Sequence, residues 1–168
     1  WDVDYDVSGK TITVKGATTS PEAKAALLSG LEEKAYEVKD SLQLVPDSAA
    51  LEGKMYGIVN LSVCNMRVED DFSSEMTTQA LMGMPVKVLQ HRNWYRIQTP
   101  DNYIAWVHRV GIHPVTKAGL DAWNKADKIV VTSHYGFTYQ QPDEKSQSVS
   151  DVVAGNRLKY EGKQGGFY

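Results

Sequence analysis

YGIVNLSVCNMRVEDDFSSEMTTQALMGMPVKVLQHRNWYRIQTPDNYIAWVHRVGIHP, running from Tyr56 to Pro114, is the stretch that decides the fold. It is a series of short alternating apolar segments separated by turn residues, with Trp94, Tyr95, Tyr103 and Trp106 set late in it. Short strands at regular spacing, broken by Gly, Pro, Asn and Asp, predict a small closed β-barrel carrying an aromatic face.

Working outward, residues 1–46 predict a compact ββαβ unit. Val3, Tyr5 and Val7 alternate at period two, Ser8-Gly9-Lys10 supplies a turn, and Ile12 and Val14 resume the alternation, as in a hairpin. Ser20-Pro21-Glu22 then announces a helix: the hydroxyl caps free amides, proline suits the first helical position, and the carboxylate favours the positive end of the dipole. Ala23, Ala26, Leu27, Leu28 and Leu31 form its apolar face, and Val38, Leu42 and Leu44 predict a returning strand before Pro46. Residues 47–55 read as a polar connector, 56–114 as the barrel, and 115–127 as a linker helix capped by Thr116, with Leu120, Trp123 and Ala126 on one face.

From Lys128 a second β pattern lies on the first, without gaps, at an offset of 72 residues. Ser74, Gln79, Leu81, Gly83, Val86 and Val88 face Ser146, Asp151, Val153, Gly155, Leu158 and Tyr160, and Tyr95 faces Phe167. An internal repeat of this kind implies two barrels of one type. The second, residues 128–168, ends opposite Arg96 and has no counterpart of Ile97 to Ile112. The expectation is therefore an incomplete barrel with open edges, either part of a longer polypeptide or completed by a second chain.

Composition limits the function. With 42% apolar, 10% aromatic and 23% charged residues the chain has the makeup of a folded protein, and a net charge of -3 with both signs interspersed offers no basic stripe for nucleic acid. No apolar run reaches the roughly 20 residues needed to span a bilayer. The single cysteine, Cys64, excludes an intrachain disulfide and a Cys-x-x-Cys knuckle. His91, His108, His113 and His134 match no compact metal-ligand spacing, and Gly162, Gly165 and Gly166 precede no helix that would make a phosphate cradle, so no metal and no cofactor are expected. The start at Trp1, with no basic and apolar leader, reads as a signal already removed or as an excised piece.

Asn65-Met66-Arg67, Gly83-Met84-Pro85-Val86-Lys87-Val88-Leu89, Trp94-Tyr95-Arg96-Ile97 and Asn102-Tyr103-Ile104-Ala105-Trp106-Val107 together resemble the bacterial SH3 domain. The wider arrangement, and Ser73 to Gly83 in particular, is similar to the N-terminal half of secreted NlpC-type cell-wall cysteine peptidases of Bacteroides-like bacteria, the γ-D-glutamyl-L-diamino acid endopeptidases also called dipeptidyl-peptidase VI. Residues 1–46 resemble a BON-type unit, on topology more than on residues. The fold class that follows is mainly β: SH3-like small barrels preceded by a small α+β unit.

The resemblance implies a noncatalytic region that targets a murein-peptide hydrolase to peptidoglycan and positions its substrate, in the periplasm or outside the cell, with or without a lipid anchor, and with the Cys/His catalytic domain elsewhere in the parent. It implies further that an acidic loop residue and a tyrosine hold the free N-terminal amine of the murein peptide. Tyr103 matches the tyrosine; Glu69 is the first candidate for the acid and Glu75 the second, because Val68, Glu69 and Asp70 can slide by one in alignment. An ammonium group is well met by a carboxylate with an acceptor oxygen or an aromatic face. The bland alternative for Glu69, Asp70 and Asp71 is a solvated acidic loop. Trp94 and Trp106 are candidate binding-face aromatics, with Trp106 favouring the core and Trp94 open to either role. Cys64 lacks the neighbouring base or helix N-terminus that activates a thiol and reads as a small core residue. A reading from another class is a stand-alone peptidoglycan- or protein-binding module with no associated enzyme.

Overall fold

The computed structural model describes residues 2–168, which form two compact units, residues 2–47 and 48–168. In the first unit, β1 (Asp2–Ser8) and β2 (Thr11–Thr18) form an antiparallel hairpin, α1 spans Pro21–Glu32, and β3 (Glu37–Leu44) returns parallel to β2, giving the sheet order β1-β2-β3. The helix starts where its cap dictates: the Ser20 hydroxyl accepts from the Ala23 N–H at 3.1 Å, and Pro21 follows. Buried Ile12, Val14 and Leu42 pack with Val3, Leu27, Leu28, Leu31 and Val38 to make this unit's core.

The second unit begins with turns whose Leu51, in a stretch that reads as a polar connector, is buried in the barrel core. Seven antiparallel strands follow: β4 (Tyr56–Val59), β5 (Val63–Arg67), β6 (Met76–Leu81), β7 (Pro85–His91), β8 (Trp94–Gln98), β9 (Ile104–His108) and, after a 3-10 turn, β10 (Ile112–Val115). Their order is β10-β4-β7-β8-β9-β5-β6. Every strand contributes to one core, from Val59 and Met66 through Ala80, Val88 and Ile97 to Val107 and Ile112, so the sheet curls round on itself. The closed barrel expected from sequence is corrected in one respect: β10 and β6, the ends of the sheet, do not pair with each other. The chain bends at Gly83 (φ +83°) between β6 and β7, so the seam is crossed by chain and by single bonds such as Gly83 N–H to the Val59 carbonyl (2.9 Å), not by a ladder.

Helix α2 (Lys117–Lys125) is capped by the Thr116 hydroxyl, which accepts from the Gly119 N–H at 3.3 Å, and packs on β4 and β10. The second copy then reproduces four strands of the first: β11 (Lys128–Val130), β12 (Tyr135–Tyr139), β13 (Ser148–Val153) and β14 (Arg157–Lys159). The 72-residue offset holds at the level of single pairs. Val63↔Leu81 becomes Tyr135↔Val153, Tyr56↔Lys87 becomes Lys128↔Lys159, and the bulge between Met66 and Arg67 recurs between Thr138 and Tyr139. The second copy does not close into a barrel; it consists of two separate ribbons, β11 with β14 and β12 with β13.

Candidate functional site

Alternation along β8 and β9 divides their side chains between two faces. Tyr95, Ile97, Ala105 and Val107 enter the core, which leaves Trp94, Arg96, Trp106 and His108 on the outer face. Outward-facing aromatics would normally be wet, yet Trp94 and Trp106 are only 6% and 5% exposed. The cover comes from the β5–β6 loop and from two arginines. Phe72 meets Trp94 edge-on with ring centroids 4.8 Å apart and lies 5.0 Å from His108, while the guanidinium groups of Arg92 and Arg96 sit 5.6 and 5.7 Å from the Trp106 ring centre. Arg92 also faces the Asp70 carboxylate at 3.9 Å.

The loop is held in shape by its own backbone. Val68 N–H donates to the Glu75 carbonyl (3.0 Å), Glu69 N–H to the Ser74 hydroxyl (2.9 Å) and Ser74 N–H to the Asp71 carbonyl (3.2 Å). The Ser73 hydroxyl and N–H both donate to the Asp71 carboxylate, which holds that carboxyl below its usual range. Glu69 and Glu75 stand at the base of this frame, both exposed. Two carboxylates on a braced loop can meet a cation without first paying to order the backbone.

Tyr103 is 44% exposed and lies in a different place. It ends the Thr99–Tyr103 turn, where Thr99 N–H donates to the Tyr103 carbonyl at 2.9 Å. The β8–β9 ladder runs from Trp94↔His108 to Gln98↔Ile104, so the Phe72 contact and Tyr103 mark opposite ends of a hairpin about 13 Å long. Among the described residues no hydrogen bond or ion pair joins the Tyr103 side chain to Glu69 or Glu75. The outer-face group of Phe72, Arg92, Arg96 and His108 is the part that sequence reasoning missed; the spacing Arg92-x-Trp94-x-Arg96 beside Trp106-x-His108 was the available signal. Cys64 is buried in the core, and burial pushes its thiol up to about 11. No group of three or more His, Cys, Asp or Glu side chains among the described residues is arranged to hold a metal ion.

With this geometry in place, comparison with known proteins assigns the barrel. Residues 66–112 match the bacterial dipeptidyl-peptidase SH3 domain. The matched SH3 segment runs from β5 to the first residue of β10, so the Phe72 loop and the Trp94–Trp106 face both fall within it. The fold is similar to that of an NlpC/P60 family protein from Bacillus cereus ATCC 10987 (TM-score 0.51, 18% identity, 66% of this chain and 48% of that one). It is also similar to an NlpC/P60 endopeptidase from Photobacterium damselae subsp. piscicida (TM-score 0.53, 14% identity, 70% of this chain and 29% of that one). The likeness thus spans less than half of either protein. No curated protein sequence matches the chain. No helix among the described residues is long and apolar enough to cross a membrane.

Proposed function

We propose that the chain is a noncatalytic region of a secreted cell-wall hydrolase, one that targets the enzyme to peptidoglycan and positions a murein peptide for cleavage between γ-D-glutamate and a diamino acid. The match of residues 66–112 to the dipeptidyl-peptidase SH3 domain carries this reading, and the fold shared with two NlpC/P60 proteins supports it. In this reading the thiolate chemistry belongs to an NlpC-type domain of the same parent, in the periplasm or outside the cell. Glu69, with Glu75 second, meets the free ammonium of the peptide and Tyr103 supplies a hydroxyl and a ring, which requires the ligand to reach from the loop to the opposite end of the β8–β9 hairpin, while Trp94 and Trp106, covered by Phe72 and two arginines, back the site from beneath. The BON-like unit of residues 1–46 acts as a further targeting element.

The test is a calorimetric titration of a peptide containing L-Ala-γ-D-Glu into the protein and into Glu69→Ala, Glu75→Ala and Tyr103→Phe. Loss of a charge-assisted hydrogen bond is worth about tenfold in Kd, expected for Glu69→Ala above all. Equal affinity in the wild type and all three variants sinks amine recognition by these residues. Equal binding of the N-acetylated peptide, with loss in none of the variants, favours a module that binds cell wall without reading the amine.

A further inference from the structure

Helix α2 packs on β4 and β10, and beside it the outer face of β7 and β8 is left as a step. Register sets the floor of that step. Gly57, Val86, Val88 and Ile97 face the core, so Tyr56, Lys87 and Gln98 point outward, and Tyr56 pairs with Lys87 as Lys87 pairs with Gln98. The three side chains stand in a row across three strands, with neighbouring Cβ atoms about 5 Å apart. Leu120 and Asn124, one turn apart on α2, make the wall, and the turn after β8 closes one end with Pro100 and Asn102. The hollow so enclosed measures about 240 Å³.

Its polar groups lack partners. Among the described residues no hydrogen bond, ion pair or ring contact engages the side chains of Tyr56, Lys87 or Asn124. The repeat supplies an internal control. At the place of Tyr56 the second copy has Lys128, whose ammonium donates to the Trp123 and Ala126 carbonyls, and at the place of Lys87 it has Lys159, paired with Glu161 at 2.7 Å. The same two positions are satisfied internally in one copy and left open in the other. No carboxylate lines the hollow, and the two closest along the chain are engaged: Asp101 accepts from the Thr99 hydroxyl and Asp121 from the Lys117 ammonium.

These groups define a ligand. Small-molecule sites run from roughly 300 to 1,000 Å³, so a hollow below that range suits a single residue-sized group. Lys87, the charged side chain in the lining, selects an anion, and Leu120 with Pro100 selects a short apolar body. The carboxamides of Gln98, Asn102 and Asn124 offer donors and acceptors together, as an amide requires. A free amino acid fits poorly, because its ammonium would face Lys87 with no carboxylate to meet it. We propose that the hollow between α2 and the β7–β8 face binds the C-terminal residue of a peptide, one with a small apolar side chain. Its carboxylate lies on Lys87 and Asn124, its side chain against Leu120 and Pro100, and its amide by Gln98 and Asn102. This is the opposite end of a peptide from the one assigned to Glu69, and the inference does not rest on that assignment.

Nuclear magnetic resonance titration tests it, with N-acetyl-L-alanine and N-acetyl-D-alanine as probes, neither of which carries an amine for Glu69 to read. Saturable shifts of the Gln98, Asn102 and Asn124 side-chain amides are expected for at least one of the two acids, with Kd of the order of millimolar. Lys87→Gln, at an exposed position, is expected to weaken binding at least about tenfold while the Ile97 and Val107 amide signals stay in place as proof of folding. N-acetylalaninamide, which lacks the carboxylate, and free alanine, which carries the ammonium, are each expected to bind at least about tenfold more weakly than the acid. Absence of saturable shifts with both acids overturns the proposal, as does equal binding by Lys87→Gln or by the amide. Equal binding of free alanine overturns the assignment to a peptide end. Saturable shifts confined to Arg92 and Arg96 overturn it too, since they place the anion on the other face.

Discussion

The side-chain amide of Asn156 donates to the backbone carbonyl of Ser62 at 2.8 Å, fastening the second copy to the first through a fully buried polar contact. The same amide's oxygen accepts from the Val153 N–H at 2.9 Å, and the Ser62 hydroxyl donates to the Asp151 carboxylate at 2.7 Å. One residue further on, Arg157 N–H donates to the Met82 carbonyl at 3.0 Å. Asn156 stands where the repeat has Met84, so the joint occupies a place that the first copy uses for packing.

Replacing this residue should loosen the second copy selectively. Asn156→Ala leaves the Ser62 carbonyl with only its longer 3.4 Å bond from the Met82 N–H and the half-buried Val153 N–H without its side-chain partner, a loss of about 1 to 3 kcal/mol. Asn156→Asp should cost more, because a carboxylate would face the Ser62 carbonyl. Amide exchange in Ser148–Val153 and Arg157–Lys159 should accelerate while the first copy stays protected. Uniform acceleration of both copies would contradict a local joint.

The two matched glycines should respond unequally to alanine. A Cβ at Gly83 would fall 2.2 Å from the Arg157 carbonyl oxygen, whereas one at Gly155 would meet only the end of the Leu81 side chain at 3.0 Å. Both have positive φ, so the backbone strain of about 1 kcal/mol is common to the pair. Urea unfolding should therefore show Gly83→Ala to be the more destabilising by at least about 2 kcal/mol. Equal midpoints would mean that the close approach to Arg157 relaxes freely.

Alkaline pH should act through Cys64. The thiol stays neutral in the folded protein until about 11, against an ordinary value of 9.0, because ionising it would bury a charge. Below pH 9 both states keep the proton and stability is unaffected. Between pH 9 and 11 the unfolded chain ionises first, so stability should fall by about 2 to 3 kcal/mol over that window. Cys64→Ala should lack this part of the pH slope; identical slopes from pH 8 to 11 would refute it.

Phe72→Ala should uncover Trp94. The edge-on ring contact is worth about 0.5 to 1.5 kcal/mol, a small loss next to the change in wetting. The indole N–H resonance of Trp94 should shift and exchange faster, with the core signals of Ile97 and Val107 unmoved. An unaltered Trp94 resonance would mean that Arg92 and His108 suffice as cover.

What the sequence revealed was whatever is encoded locally or by repetition. Ser20-Pro21 and Thr116 carry their helix starts within three residues, and the 72-residue offset transfers from letters to strand pairs without correction. The outer face was not legible, because it needs the register of β8 against β9 and the fold of a loop over both. Alternation alone says that Trp94 and Trp106 share a side, not that Phe72 and two arginines cover it. Leu51 went unremarked for a similar reason: polar neighbours describe a connector, and only the tertiary fold brings Leu51, with Met55 beside it, to the core. Alignment placed Tyr103 and Glu69 on the chain but was silent on which end of the hairpin each would occupy.

The β5–β6 loop has a twin. The bonds that brace it, from Val68 to Glu75, from Glu69 to Ser74 and from Ser74 to Asp71, recur as Gln140 to Gln147, Gln141 to Ser146 and Ser146 to Asp143. Inside this shared bracket the contents differ: Asp70, Phe72 and Ser73 in one copy, Pro142, Glu144 and Lys145 in the other. The bracket is thus a socket indifferent to its cargo, and the two copies can diverge in what they display to their surroundings while the hydrogen-bonded frame stays the same.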